Sequence, residues 1–323
     1  MVLEPIFLQS LWRSCSTYFW EKFRGNADWR CFNEPLHEIL AVLDERGIDE
    51  NESVRVLRHP RLNEHYFAEY PLQPGGGVPH FQKRFTVENY YLRPGSEDEG
   101  LKKYLDGLFA CAAENMQRPF LQPNRAVLRG EWMKEQCGGV HMYLNRNFDE
   151  LIRSYFSFGD NNSYFLHCYA AIIGQNAHDP FFRDIAALKG LVPYKGESFV
   201  KESRHFAAAV AAWDRQDFRD IVAFIWVCGL AQASRYADIL IEVSRLPDPE
   251  YRRTLQGAVL DQLNSYLDLT DFDPPEAGDE NDLVVSEPAR ELIKKALNEL
   301  QPDWSRLEKM GAAVSTRRFL RFL

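Results

Sequence analysis

The sequence has no Gly-Lys-Ser or Gly-Lys-Thr run, no CxxC pair, no long apolar stretch and no excess of basic residues, and each absence removes a class of function. Without a Gly-Lys-Ser/Thr ending there is no loop lysine to bridge β and γ phosphates, which disfavours an ATP- or GTP-hydrolysing P-loop. The six cysteines, Cys15, Cys31, Cys111, Cys137, Cys168 and Cys228, stand far apart in apolar or helical contexts. That is the pattern of reduced thiols, not of a disulfide scaffold or a zinc site, and no metal is expected. A formal net charge of -9 argues against a general nucleic-acid binder, so any anion must be met by a few placed residues. The stretch after Met1 shows no basic lead and no small-residue cleavage site, and no segment reaches the apolar length of a membrane span. A cytoplasmic protein is the expectation.

What is present is a chain of 323 residues, 45% hydrophobic and 13% aromatic, enough to bury a large core in one elaborated α/β domain over residues 1–323. An apolar strand over residues 6–12 leads through a bend into a helix over Ser16–Arg24. A helical segment is expected over Pro35–Arg46. Turn-rich runs such as "PLQPGGGVPHF" and "LRPGSEDEG" mark residues 50–100 as an insertion or lid. The pattern then predicts a helix over Leu101–Glu114, a brief strand over Ala126–Leu128, a helix over Glu131–Gln136, a strand over Val140–Leu144 and a helix from Phe148. Helices dominate residues 165–235, followed by a strand over Ile239–Val243 and an amphipathic helix over Tyr251–Leu263. "DFDPPEAGDEND" reads as a solvated acidic loop.

The bend "LWRSCSTYFW" carries the chemistry. A strand-to-helix turn converges backbone N–H groups on one point and adds the positive end of the helix dipole, a setting that stabilises an oxyanion. Arg13 adds a permanently charged fork, and Ser14, Ser16 and Thr17 add hydroxyl donors. Serine and threonine are also ordinary helix caps, so the same bend suits a capped helix start.

These residues resemble the 5'-phosphosulfate loop of the sulfotransferases, a Pro-Lys/Arg-Ser-Gly-Thr/Ser-Thr-like run between strand and helix. Trp12 stands where proline is common and Cys15 where glycine is common, so either the bend keeps ordinary dihedrals or Cys15 carries strain. A second match tests a spacing. In that family a strand ends in Arg-Asp/Asn-Pro, with a serine eight positions after the arginine, and both bind the 3'-phosphate of the donor. "YLNRNFDELIRSYFS" supplies Arg146, Asn147 and Ser154 at that distance, with Phe148 in place of proline. "FNEPLHE" resembles the acceptor-side segment of carbohydrate and bacterial sulfotransferases, where an acidic residue or histidine removes the acceptor proton. Glu34 and His37 are the two candidates, and they share one helix face if the helix starts at Pro35 with Asn33 or Glu34 as its cap. Arg125 and Arg129 in "NRAVLRGEWMKE" are weaker candidates for lining the nucleotide site. The family's C-terminal Arg-Lys-Gly loop has no counterpart beyond "EKMGAAVSTRRFLRF".

The resemblance covers residues 7–38 and 124–157. It implies an α/β fold with a P-loop-type central parallel sheet flanked by helices and carrying helical insertions. It also implies 3'-phosphoadenylyl sulfate (PAPS) as donor, with Arg13, Ser14, Cys15, Ser16, Thr17, Arg146 and Ser154 binding it. The acceptor would be a hydroxyl or amine of a carbohydrate, glycolipid precursor or small metabolite. Two alternatives stay open, a non-catalytic nucleotide binder of the same fold and a small-molecule kinase. His141, His167, His178 and His205 lie in strand or helix contexts that suit structural roles at least as well as active ones.

Overall fold

The structure is a computed structural model whose described residues are 3–45, 65–156, 163–196, 198–273, 284–312 and 316. Five parallel strands form its central sheet: β1 (Ile6–Ser10), β2 (Trp29–Asn33), β3 (Arg118–Gln122), β4 (Val140–Asn145) and β5 (Ile239–Glu242), in the order β2-β3-β1-β4-β5. The register sets Ile6 between Phe120 and Val140, Asn33 beside Gln122, and Asn145 beside Glu242. Short, continuously buried runs such as "IFLQS" suit a parallel sheet covered on both faces.

Side-chain alternation divides the sheet's two faces. Ile6, Leu8, Cys31, Phe120 and Met142 pack against Phe19, Trp20 and Phe23 of α1 (Ser16–Arg24) and against Leu255, Val259 and Leu263 of α9 (Pro249–Leu263). Phe7, Phe32 and Leu121 pack against Tyr104, Leu105 and Leu108 of α2 (Glu99–Glu114) and Met133 of α3 (Gly130–Cys137). A helical layer surrounds α8 (Arg215–Tyr236), which is buried nearly all round and starts in a capping box between Asp214 and Asp217. Its neighbours are α4 (Phe148–Phe156), α5 (Ser163–Gln175), α6 (Pro180–Leu188), α7 (Phe199–Val210), α10 (Glu287–Leu300) and α11 (Trp304–Lys309). No helix among the described residues is long and apolar enough to cross a membrane.

Several sequence expectations need correcting. The first strand ends at Ser10, two residues early, because Leu11 and Trp12 already belong to the bend. β2 and β3 did not stand out in the sequence, and the expected strand over Ala126–Leu128 is a turn region. The helix expected over Pro35–Arg46 is, in its described part, a turn followed by a short 3-10 helix over Glu38–Ala41. Residues 65–100 are turn-rich as expected, with one 3-10 turn over Lys83–Phe85, yet Phe67, Tyr70, Phe85 and Tyr90 are buried. The rest of the expected insertion, all of the acidic loop beyond residue 273 and most of the C-terminal run fall outside the described residues.

The strand order opens a crevice at one point of the sheet. β1 leads through α1 toward β2 on one side of the sheet, whereas the neighbouring β4 leads through the helical layer to β5 on the other side. Adjacent strands with opposite exits leave a crevice beyond their carboxyl ends, where open α/β sheets take ligands.

Candidate functional site

The bend that leaves β1 turns without glycine. Arg13 and Cys15 both adopt left-handed backbone conformations, with φ of 68° and 60°. Of the two options left by the sequence, strain at Cys15 is the one realised, since a side chain there crowds its own backbone. Trp12 fixes the bend from behind. Its ring packs edge-on against Tyr169, 5.1 Å away, and its carbonyl accepts a 2.9 Å hydrogen bond from the Tyr155 hydroxyl. Ser14, Ser16 and Thr17 are buried. Cys15 starts α1 with no side-chain cap. Burial pushes its thiol up, against the opposing pull of the Arg146 and Arg13 guanidinium groups, so both cations act on the first turn of the helix.

Beyond β4, Arg146 and Ser154 complete the other wall. The Arg13 Nε donates to Ser154 Oγ at 3.1 Å, and Arg146 Nη1 donates to the Arg13 carbonyl at 2.8 Å. Trp226 of α8 holds the Arg146 carbonyl at 3.1 Å, and Glu150 lies 3.5 Å from Arg146 Nε as a counter-charge. Asn147 caps the start of α4 by accepting from the Asp149 N–H. Residues separated by more than a hundred positions thus meet at the crevice between β1 and β4. Two guanidinium groups, the hydroxyl side chains of Ser14, Ser16, Thr17 and Ser154, and a helix start gather here, groups whose chemistry suits an anion.

Glu34 and His37 lie at the end of β2, but not on a shared helix face. Glu34 sits in a left-handed turn with φ of 46°, and His37 caps the 3-10 helix, its Nδ1 accepting from the Ile39 N–H at 3.1 Å. The carboxylate is buried and doubly held, by Asn124 Nδ2 at 2.6 Å and Arg125 Nη1 at 3.1 Å. The guanidinium that holds it, Arg125, also reaches Glu38 at 3.0 Å. Burial raises the Glu34 pKa, with Arg125 and Asn124 opposing. Burial lowers His37 to about 4, so the imidazole is a weak base with one nitrogen already engaged.

Comparison with protein-family models, curated proteins and solved structures returned no match.

Arg129 does not line the crevice. Its guanidinium donates to the carbonyls of Phe85, Glu88, Asn89 and Arg125, which staples the turn-rich segment to α3. Arg125 stands on the Glu34 side, its guanidinium 5.2 Å over the Trp12 ring. Sequence reasoning missed Asn124 and Tyr66. Asn124 accepts from Ser10 Oγ at 2.6 Å while holding Glu34, and the Tyr66 hydroxyl lies 2.7 Å from Thr17 Oγ1. Recognising "RPFLQ" as a strand would have put Asn124 at its carboxyl end. Nothing local in "EHYFAEY" signals the contact with Thr17.

Proposed function

We propose that the protein transfers a sulfuryl group from 3'-phosphoadenylyl sulfate to a hydroxyl or amine of a small or carbohydrate acceptor. The observation that carries this reading is the meeting of Arg13, Arg146 and Ser154 at the crevice between β1 and β4, joined by contacts of 3.1 and 2.8 Å. In this reading the Ser14–Thr17 bend and Arg13 hold the 5'-phosphosulfate, while Arg146 and Ser154 hold the 3'-phosphate. The acceptor oxygen or nitrogen attacks sulfur in line, and the bond from sulfur to the 5'-phosphate oxygen breaks. The bisphosphate nucleotide leaves with the electron pair. Arg13 and the bend's N–H groups stabilise the charge that builds on that phosphate, and the acceptor proton passes to Glu34. Glu34 is favoured over His37 because burial raises the basicity of the carboxylate and lowers that of the imidazole.

One observation favours a second reading. Glu34 is engaged by Arg125 and Asn124, which suits a protein that binds the nucleotide without catalysis. Calorimetric titration with 3'-phosphoadenosine 5'-phosphate tests the nucleotide site, and adenosine 5'-phosphate should bind more weakly. Incubation with labelled PAPS and a broad acceptor panel then separates enzyme from binder. No affinity for the bisphosphate would overturn both readings.

A further inference from the structure

The edge of the sheet holds a feature that the transfer chemistry leaves unused. Asn33, the last residue of β2, is fully buried, and among the described residues neither its Nδ2 nor its Oδ1 has a hydrogen-bond partner. Gln122, its register neighbour at the end of β3, is also fully buried; its Nε2 donates to Asn124, but among the described residues its Oε1 has no partner. Register neighbours in parallel strands project from the same face, so the two amides stand side by side. The next residue along from Asn33 is Glu34, held by the same Asn124. Tyr66 faces Asn33 without closing a hydrogen bond of ordinary geometry to it, and its hydroxyl pairs with Thr17. Buried polar atoms are almost always satisfied, so unpartnered atoms on neighbouring side chains beside a candidate base point to a ligand.

We propose that Asn33 and Gln122 form a hydroxyl-reading subsite, and that its ligand is a neutral polyhydroxy compound of the sugar type. This rests on the reading of Glu34 as the acceptor-side base. Asn33 offers donors and an acceptor, and Gln122 offers an acceptor. A hydroxyl both donates and accepts, so two neighbouring hydroxyls satisfy these atoms. A carboxylate or phosphate would leave both amide oxygens unsatisfied and would stand beside Glu34. An ammonium would leave Asn33 Nδ2 without an acceptor. Arg125, the cation that holds Glu34, is shared between Glu34 and Glu38, so it is already compensated and offers little to an added anion. With one hydroxyl held by Asn33, its neighbour on the same ring is the one directed to Glu34, which would make Asn33 a determinant of which hydroxyl reacts.

The full chain, with and without 3'-phosphoadenosine 5'-phosphate, is titrated with methyl α-D-glucoside, myo-inositol and glucuronate and followed by ligand-observed NMR. The neutral polyols should bind, and glucuronate should bind about tenfold more weakly or not at all. Asn33→Leu keeps the size of the side chain and removes its polar atoms. It should weaken polyol binding by about tenfold or more, leave bisphosphate affinity unchanged, and melt at the wild-type temperature or above. Absence of polyol binding, glucuronate binding equal to that of the polyols, or an Asn33→Leu protein that binds polyols like the wild type would overturn the subsite. So would a clearly lower melting temperature, since that gives Asn33 a partner inside the protein. If Asn33→Leu does not fold, Asn33→Ala and the wild-type comparison of polyols with glucuronate decide the question. A chain that binds polyols through Asn33 but no bisphosphate keeps the subsite and loses the sulfuryl-transfer reading. The reverse result does the opposite.

Discussion

Replacing Glu34 by glutamine removes a negative charge beside Arg125, a side chain 1% exposed that is held by Glu34 at 3.1 Å and Glu38 at 3.0 Å. The amide keeps an oxygen for Asn124 but turns its NH2 toward Arg125, so that donor faces donor. Removing one partner of a buried ion pair costs about 3–5 kcal/mol; because Glu38 retains part of the pairing, the expected loss is about 2 kcal/mol. Adding Arg125→Met removes the stranded cation, and the double variant should be about 1–2 kcal/mol more stable than the sum of the single losses. Urea midpoints at constant slope measure these energies. The pH dependence follows from the direction of the Glu34 shift. A carboxyl held above its ordinary range by burial keeps its proton to higher pH in the folded chain than in the unfolded one. Its contribution is therefore full below the unfolded value and is lost as pH rises through the folded value, and Glu34→Gln should flatten that decline. Single-turnover sulfuryl transfer should fall by about 10²–10⁴-fold with bisphosphate affinity unchanged. Strict additivity with Arg125→Met would refute the coupling, and an unchanged transfer rate would remove Glu34 from the chemistry.

Arg146→Ala and Ser154→Ala should each weaken binding of the bisphosphate nucleotide by about 1.5–3 kcal/mol, and that of adenosine 5'-phosphate far less. Equal calorimetric losses for both nucleotides would contradict a 3'-phosphate site. His37→Asn should slow transfer less than Glu34→Gln does; a loss at least as large would reverse their ranking. At Cys15, where φ is 60°, valine should cost at least about 1 kcal/mol relative to glycine. Equal urea midpoints for the two variants would show that the left-handed backbone stores no strain. His141 is stacked on Phe7 with ring centroids 4.5 Å apart, and burial lowers its pKa from 6.5 to about 4. At about 1.4 kcal/mol per pH unit, about 3 kcal/mol of stability should be lost as pH falls from about 6.5 through about 4. His141→Phe should flatten this acid limb, and an unchanged slope would assign the loss to other groups.

The elements with strong local signals were legible in the sequence. "IFLQS" opens on three apolar residues, "VHMYL" has apolar residues at every second position, and α4 has its apolar residues at helical spacing with acidic residues in its first turn. The order of the bend and the Arg146–Ser154 pair along the chain was equally legible, since it depends only on spacing. β2 and β3 were not. "WRCFN" and "RPFLQ" each hold an arginine and end in an amide, features that local pattern assigns to a loop and that only pairing with neighbouring strands overrides. The segment after β2 read as helical because Pro35 and the following apolar residues fit a helix start. In the fold, the Glu34 N–H bonds to Gln122 and Glu34 takes a left-handed turn, which stops a helix from forming there. The sequence thus determined which groups were available: two arginines, a row of hydroxyls and a carboxylate. Only the tertiary structure decided their partners, because strand order placed Arg146 beside Arg13 and left Glu34 to Arg125. Contacts between strands distant in the chain are set by sheet pairing and burial, which no local spacing encodes.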